Sequence, residues 1–262
     1  MLFSSMLLLF SCSERVYQSS TAGSGNLKVM TYNIHHANPP SVAGKIDLAA
    51  IEKVIRDQKP DLVALQEVDV NTLRSGKVNQ ASTLAINLGM NFMFAKTIDY
   101  DGGEYGVVIL SRYRLSDIQV HKLPTKEGTK GEPRVLATVQ VNLPGNKKLR
   151  FGCTHLDALK ADTNRMLQVE AINKIAAQEE LPFIIAGDLN ASPGSPVINL
   201  LDQQFTRSCN DCAFTIPTVK PTSAIDFVAF SRKNNMEVLR HEVVQEHYAS
   251  DHLPVVTLLK LK

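Results

Sequence analysis

Tryptophan is missing altogether, so no indole wedge or stacking platform for a nucleic acid is available, although six Tyr and ten Phe remain. A dominant charge is missing too. The 28 Lys and Arg against 26 Asp and Glu leave a net +2, which excludes a basic sleeve over the whole surface and leaves a local basic patch open. There is no internal repeat, and the only low-complexity stretch is the small, polar Ser19 to Gly25, with the composition of a tether. No apolar run approaches the ~20 residues of a spanning helix; the one near the N-terminus is about half that. Cysteine is scarce, at four residues in unlike contexts, which argues against a disulfide framework.

What is present is a chain of 262 residues with 44% hydrophobic content, enough to bury a large core in one domain or a two-sheet domain. Cys12 follows Leu7-Leu8-Leu9-Phe10-Ser11 and precedes a polar tract. The arrangement resembles a bacterial lipoprotein signal, with Cys12 as the lipidated first residue of the mature protein, although no Lys or Arg precedes the apolar run. The expectation is a signal and tether over residues 1–25, a single catalytic domain over 26–262, and export to the periplasm or outer membrane with attachment through Cys12. In an oxidising compartment Cys209-Asn210-Asp211-Cys212 can close a small disulfide loop. Half a zinc site or a redox pair is disfavoured, because no second Cys pair and no βαβ pattern accompany it. Cys153, within an apolar strand, reads as a small buried hydrophobe.

The spacing of apolar residues predicts a strand over 27–33, a helix over 46–58 ended by Lys59-Pro60, and a strand over 61–67, a strand-helix-strand unit with short links. A helix over 79–88 and strands over 91–98, 107–111, 118–123, 134–142 and 149–156 follow, the middle block being antiparallel in character. A helix over 162–177, a strand over 183–187, a short helix over 196–201 and three further strand-like runs complete the chain. Helices flanking a block of hairpins fit two mixed sheets packed face to face with helices outside each.

The chemistry gathers at strand ends. Phe183-Ile184-Ile185-Ala186 delivers Gly187-Asp188-Leu189-Asn190, in which Asp188 and Asn190 share a face if the backbone stays extended. Taken alone, these two are as readily Asx-type turn residues. Four other apolar strands also end in polar groups: Thr31-Tyr32-Asn33, Leu65-Gln66-Glu67, Thr154-His155-Leu156-Asp157, and Ala224-Ile225-Asp226. The final apolar run is instead preceded by Ser250-Asp251-His252. Carboxylates, amides and histidines converging from strand ends point to a metal-assisted hydrolase.

These six motifs, in this order over residues 31 to 252, resemble the endonuclease/exonuclease/phosphatase superfamily, also called deoxyribonuclease-I-like. The resemblance implies an α/β fold, a four-layer α-β-β-α sandwich, and a Mg²⁺-dependent phosphoesterase, with Mn²⁺ an alternative. It implies Glu67 as metal ligand, with Asn33 and Asp251 completing or orienting that site, Asp188 activating the attacking water, and Asn190 holding a phosphate oxygen or that water. His155 and His252 would bracket the phosphate, Asp226 would hydrogen-bond His252, and Arg134 and Tyr105 would contact substrate. Physical chemistry runs the same way. Glu67 offers the hard oxygen that magnesium prefers, Asp226 would favour a charged His252, and a bidentate guanidinium suits phosphate. Arg165 and Gln168 can buttress the loop at Asp157 or simply face solvent, and Asp157 can be a ligand or a cap.

A resemblance of this kind stops at the phosphate. The substrate expected is a phosphorylated small molecule, a lipid headgroup or a nucleic acid, with a phosphodiester favoured. Alternatives are an extracellular nuclease and a silent phospholigand-binding lipoprotein; the latter predicts catalytic positions lost, and none is. No protein partner is inferred.

Overall fold

A computed structural model describes residues 25–234 and 236–261. The signal and the lipidated Cys12 expected from the sequence lie outside the described residues.

Two six-stranded mixed sheets face one another. The first contains β1 (Asn26–Asn33), β2 (Leu62–Val70), β3 (Asn91–Tyr100), β4 (Gly103–Ser111), β11 (Met236–Val243) and β12 (Val255–Leu261), in the order β11-β12-β1-β2-β4-β3. The second contains β5 (Arg114–Leu123), β6 (Arg134–Asn142), β7 (Lys148–His155), β8 (Phe183–Asp188), β9 (Phe205–Arg207) and β10 (Asp226–Ser231), in the order β5-β6-β7-β8-β10-β9. Helices α1 (Leu48–Gln58) and α2 (Gln80–Leu88) cover the first sheet, and α3 (Thr163–Gln178) and α4 (Pro196–Leu201) the second.

Strand period explains the layering. Along β2, Leu62 and Ala64 enter the core between the sheets, while Val63 and Leu65 enter the core under α1 and α2. Along β8, Ile184 and Ala186 face the first core, and Phe183 and Ile185 face α3 and α4. Both faces of these strands are covered, which is why they read as continuous apolar runs rather than as alternation.

Helix ends follow local chemistry. Asp47 caps α1 by accepting from the Ala50 N–H, and Lys59 closes it in the left-handed region at φ 50° ahead of Pro60. Asn79 caps α2 in the same way, and Gly89 ends it at φ 63°.

The antiparallel middle block is divided between the sheets: β3 and β4 join the first, β5 to β7 the second. Four strands, not three, follow α4, because the three-residue β9 is too short to show a period. Two motif positions also differ from expectation. Asp226 opens β10 instead of following it, and its place at the same edge as Asp188 comes from the antiparallel pairing of β10 with β8. Glu67 does not end β2, which runs on to Val70; a bulge between Leu65 and Val68 sets Glu67 off the ladder at φ 58°. Bulges re-aim side chains in this way beside functional sites.

Candidate active site

One rung of the second sheet carries the centre of the site. His155 at the end of β7, Asp188 at the end of β8 and Asp226 at the start of β10 are consecutive register partners across three strands. Gly187 allows this close approach, since a Cβ there would meet the Thr154 carbonyl oxygen at 2.0 Å. His252 reaches the same place from the loop before β12, and its Nδ1 lies 2.9 Å from Asp226 Oδ2.

From the first sheet, Asn33 at the end of β1 joins the two halves. Its amide nitrogen donates to Glu67 Oε1 at 3.0 Å and to Asp188 Oδ2 at 3.1 Å, one proton for each carboxylate. Ser250 fixes the strand end by donating to the Asn33 carbonyl at 2.7 Å, and Asn33 Oδ1 accepts from the His35 N–H.

Asp188 Oδ2 is therefore a hub. Besides Asn33, it faces His155 Nε2 at 3.5 Å and His252 Nε2 at 3.8 Å, while Oδ1 accepts from the Asn190 N–H at 2.8 Å. Asp188 is 1% exposed, and burial, then the Asp226 charge, raise its pKa to about 7. A carboxylate held there suits a general base near neutrality.

The two histidines are set to opposite states. Burial alone would lower His252, but the charge and hydrogen bond of Asp226 outweigh it and raise its pKa to about 10, so the ring is an imidazolium at neutral pH. His155 is held well below its ordinary value by burial, then by Arg134 and His252. Arg134 Nη1 lies 3.4 Å from His155 Nδ1; a guanidinium has no acceptor, so Nδ1 must accept and the proton sits on Nε2, facing Asp188.

Arg134 opens β6 and is 4% exposed, ion-paired to Glu132 at 3.0 Å, with its Nε free of any partner. A surface Arg on an edge strand would show neither the burial nor the orphaned donor. Tyr105, in β4, is buried, and burial, then the Glu67 charge, push its hydroxyl far up against the opposing pull of Arg134. Asn190, at φ 48°, gives its amide to the Leu156 carbonyl at 3.0 Å, tying the ends of β7 and β8. Asp251 is 36% exposed, accepts from Ser250 Oγ at 3.3 Å and lies 4.0 Å from His35 Nδ1. All ten positions expected from the sequence thus come to one edge of the sandwich.

Two donor groups compete for a cation. Asp188, Asp226 and His252 place ligand atoms within 4.8 Å of one another, but a charged His252 has no lone pair to give and Asp226 Oδ2 is already occupied by His252 and Thr215. Glu67, partly exposed, set off the ladder by its bulge and in contact with Asn33, offers the hard carboxylate oxygen that magnesium prefers and is not tied to a histidine.

Sequence reasoning missed Thr215, which is buried in the irregular segment before β10 and donates to Asp226 Oδ2 at 2.6 Å. No period or motif marks it. Arg165 and Gln168 do buttress the Asp157 loop: Arg165 Nη1 donates to the Asp157 and Leu159 carbonyls, and Gln168 Oε1 accepts from the Asp157 N–H at 2.9 Å. Asp157 itself caps that loop, accepting from the Leu159 N–H. Cys209 and Cys212 form a disulfide, and Cys153 is a buried free thiol.

The sandwich matches solved structures over 89–91% of the chain. An endonuclease/exonuclease/phosphatase from Beutenbergia cavernae is 25% identical with a TM-score of 0.72, over 90% of this chain and 72% of that one. A mannosyl-6-phosphatase from Bacteroides thetaiotaomicron is 19% identical with a TM-score of 0.72, over 89% and 99%. The catalytic domain of human Nocturnin with bound sulfate anion is 19% identical with a TM-score of 0.71, over 91% and 96%. A sequence profile matches residues 30–252, and the chain belongs to the Endonuclease/Exonuclease/phosphatase family.

Proposed function

We propose that this chain is a magnesium-dependent phosphodiesterase that works outside the cytoplasm, anchored through Cys12. Members of the family hydrolyse phosphoesters and typically use a divalent metal. The observation that carries the reading is the hub at Asp188 Oδ2, a buried carboxylate raised to about 7 and faced by Asn33, a neutral His155 and a charged His252.

The residues divide the work. Asp188 takes a proton from water while Asn190 orients the loop around it. His252, kept charged by Asp226, and Arg134 face the developing negative charge on phosphate, and His155 donates a neutral hydrogen bond through Nε2–H. Glu67, with Asn33 and Asp251, would hold the metal, which supplies charge neutralisation at phosphoryl oxygens. Tyr105, beside Arg134, would contact the substrate. Exposed apolar side chains flank segments of the site: Tyr100 at the end of β3 has its ring 6.2 Å from that of Tyr105, Leu159 follows Asp157 by two residues, and Tyr248 precedes Ser250 by two. The second organic group of a diester has apolar surface to lie against here, and a monoester leaves it uncovered.

The test is hydrolysis by the full chain, in mild detergent, of bis-p-nitrophenyl phosphate, p-nitrophenyl phosphate, plasmid DNA, RNA and sphingomyelin, with Mg²⁺ or chelator. Metal-dependent diester cleavage that loses its Mg²⁺ response in Glu67→Gln supports the proposal. Preference for the monoester would overturn the diesterase assignment, and an unchanged Mg²⁺ response would remove Glu67 from the metal site.

A further inference from the structure

The end of β2 and the segment after it carry an ion pair, buried on its carboxylate side, that the hydrolytic machinery above does not use. Asp69 is fully buried, and its carboxylate receives Arg74 Nε on Oδ2 and Arg74 Nη2 on Oδ1, both at 2.7 Å. Thr72 and Ser75 hydroxyls donate to the same carboxylate. A forked guanidinium gripped along one edge has a fixed plane.

That plane lies over two rings. The guanidinium carbon is 4.4 Å from the Tyr100 ring centre and 5.6 Å from that of Tyr105, and the rings are tilted by 51° with centres 6.2 Å apart. Asp69 and Tyr105 are register partners on neighbouring strands, so the carboxylate that grips Arg74 stands across from the ring Arg74 covers. Backbone staples hold the assembly: Asp101 accepts from the Leu73 N–H through its carbonyl and from the Arg74 N–H through its side chain. A Cβ on Gly103 would meet the Val70 carbonyl at 2.4 Å, so the β3–β4 turn sits directly on this loop.

The other end of Tyr105 reaches the site, with its hydroxyl within hydrogen-bonding reach of Arg134 and in the field of the Glu67 carboxylate. We infer that Arg74, clamped by Asp69, is a positioning residue that holds the Tyr105 ring so that its hydroxyl is presented to the phosphate beside Arg134. The inference rests on the phosphoester-hydrolase reading and adds a residue that acts through another. Lysine at position 74 keeps the charge and can still pair with Asp69, but it lacks the flat fork that covers the rings.

The experiment is a double-mutant cycle in the full chain with Arg74→Lys, Tyr105→Phe and the pair, assayed on the best diester of the panel, with thermal melts alongside. Arg74→Lys should lower kcat/KM about ten-fold, with the melting temperature moved by a few degrees at most, and should cost under about two-fold in the Tyr105→Phe background. Losses that multiply, or a lowered melting temperature with unchanged kinetics, would overturn it. A readout independent of turnover separates its failure from that of the functional reading. In protein carrying ¹³C-ring-labelled tyrosine, the resonance identified as Tyr105 by its loss in Tyr105→Phe should shift in Arg74→Lys. An unmoved resonance rejects the inference even where no substrate has been found.

Discussion

At the residue scale, the site is an arrangement of protons. Asp188 is buried, where a structural carboxylate would be poorly placed, and His252 is held charged by a second carboxylate. Asp188→Asn keeps the shape and the Asn190 turn but removes the base, so turnover should fall about 10²- to 10⁴-fold while the melting temperature stays level or rises. Kinetics and melts on the same preparation check this; retained turnover would move the base elsewhere. His252 titrates near its ordinary 6.5 when unfolded and near 10 when folded. Its pair with Asp226 is therefore fully stabilising below about pH 6.5, and that stability is lost as pH rises through about 10. Urea denaturation from pH 6 to 10.5 with chelator should show the decline, and Asp226→Asn should flatten it. Pattern in the sequence revealed these residue types and their order, and the Asp226–His252 pairing implied the charged His252, but not the raised Asp188 or the neutral His155. Burial is the largest cause of those two shifts, and it depends on how two sheets close over Asp188.

At the element scale, the strands deliver the chemistry. The run Phe183-Ile184-Ile185-Ala186 announced β8, and the helical spacing of Ile51, Val54 and Ile55 announced α1. Sheet membership was not legible, because a period says which face of a strand is apolar and never which strand lies beside it. The same gap explains Asp226: its strand was visible, its direction was not, and only antiparallel pairing places it beside Asp188. Thr215 lies in a segment bridged only through Ile216 and Ser223, with no regular element to signal it. Where the sheet is tightest, a methyl group should be costly. Gly187→Ala would drive a Cβ into the Thr154 carbonyl, forcing β7 and β8 apart at the rung that carries His155 and Asp188. The expected loss, by urea denaturation, is more than about 3 kcal/mol together with activity; a variant of normal stability would show that the rung can yield.

At the scale of the whole molecule, charge is balanced, with 28 Lys and Arg against 26 Asp and Glu. Binding of a single-stranded oligonucleotide should therefore depend weakly on salt, with a slope of log K on log salt shallower than about −2, corresponding to two or three phosphate contacts. Fluorescence anisotropy between 50 and 200 mM salt, roughly the range over which true polyanion binders lose most of their affinity, measures it. A steep slope would favour the nuclease alternative. The catalytic edge lies at the end of β1, about 25 Å of strand away from Asn26. At that far end β1 and β12 pair antiparallel with Asn26 opposite Lys260, and the Leu261 N–H meets the Gly25 carbonyl at 3.2 Å. Residues 25 and 261 are thus already neighbours. A short glycine linker between them, with the chain reopened at the exposed Pro144–Asn146 turn, would yield a circular permutant of this sandwich, and a fusion or bead coupling at either position would leave the mouth of the enzyme facing outward.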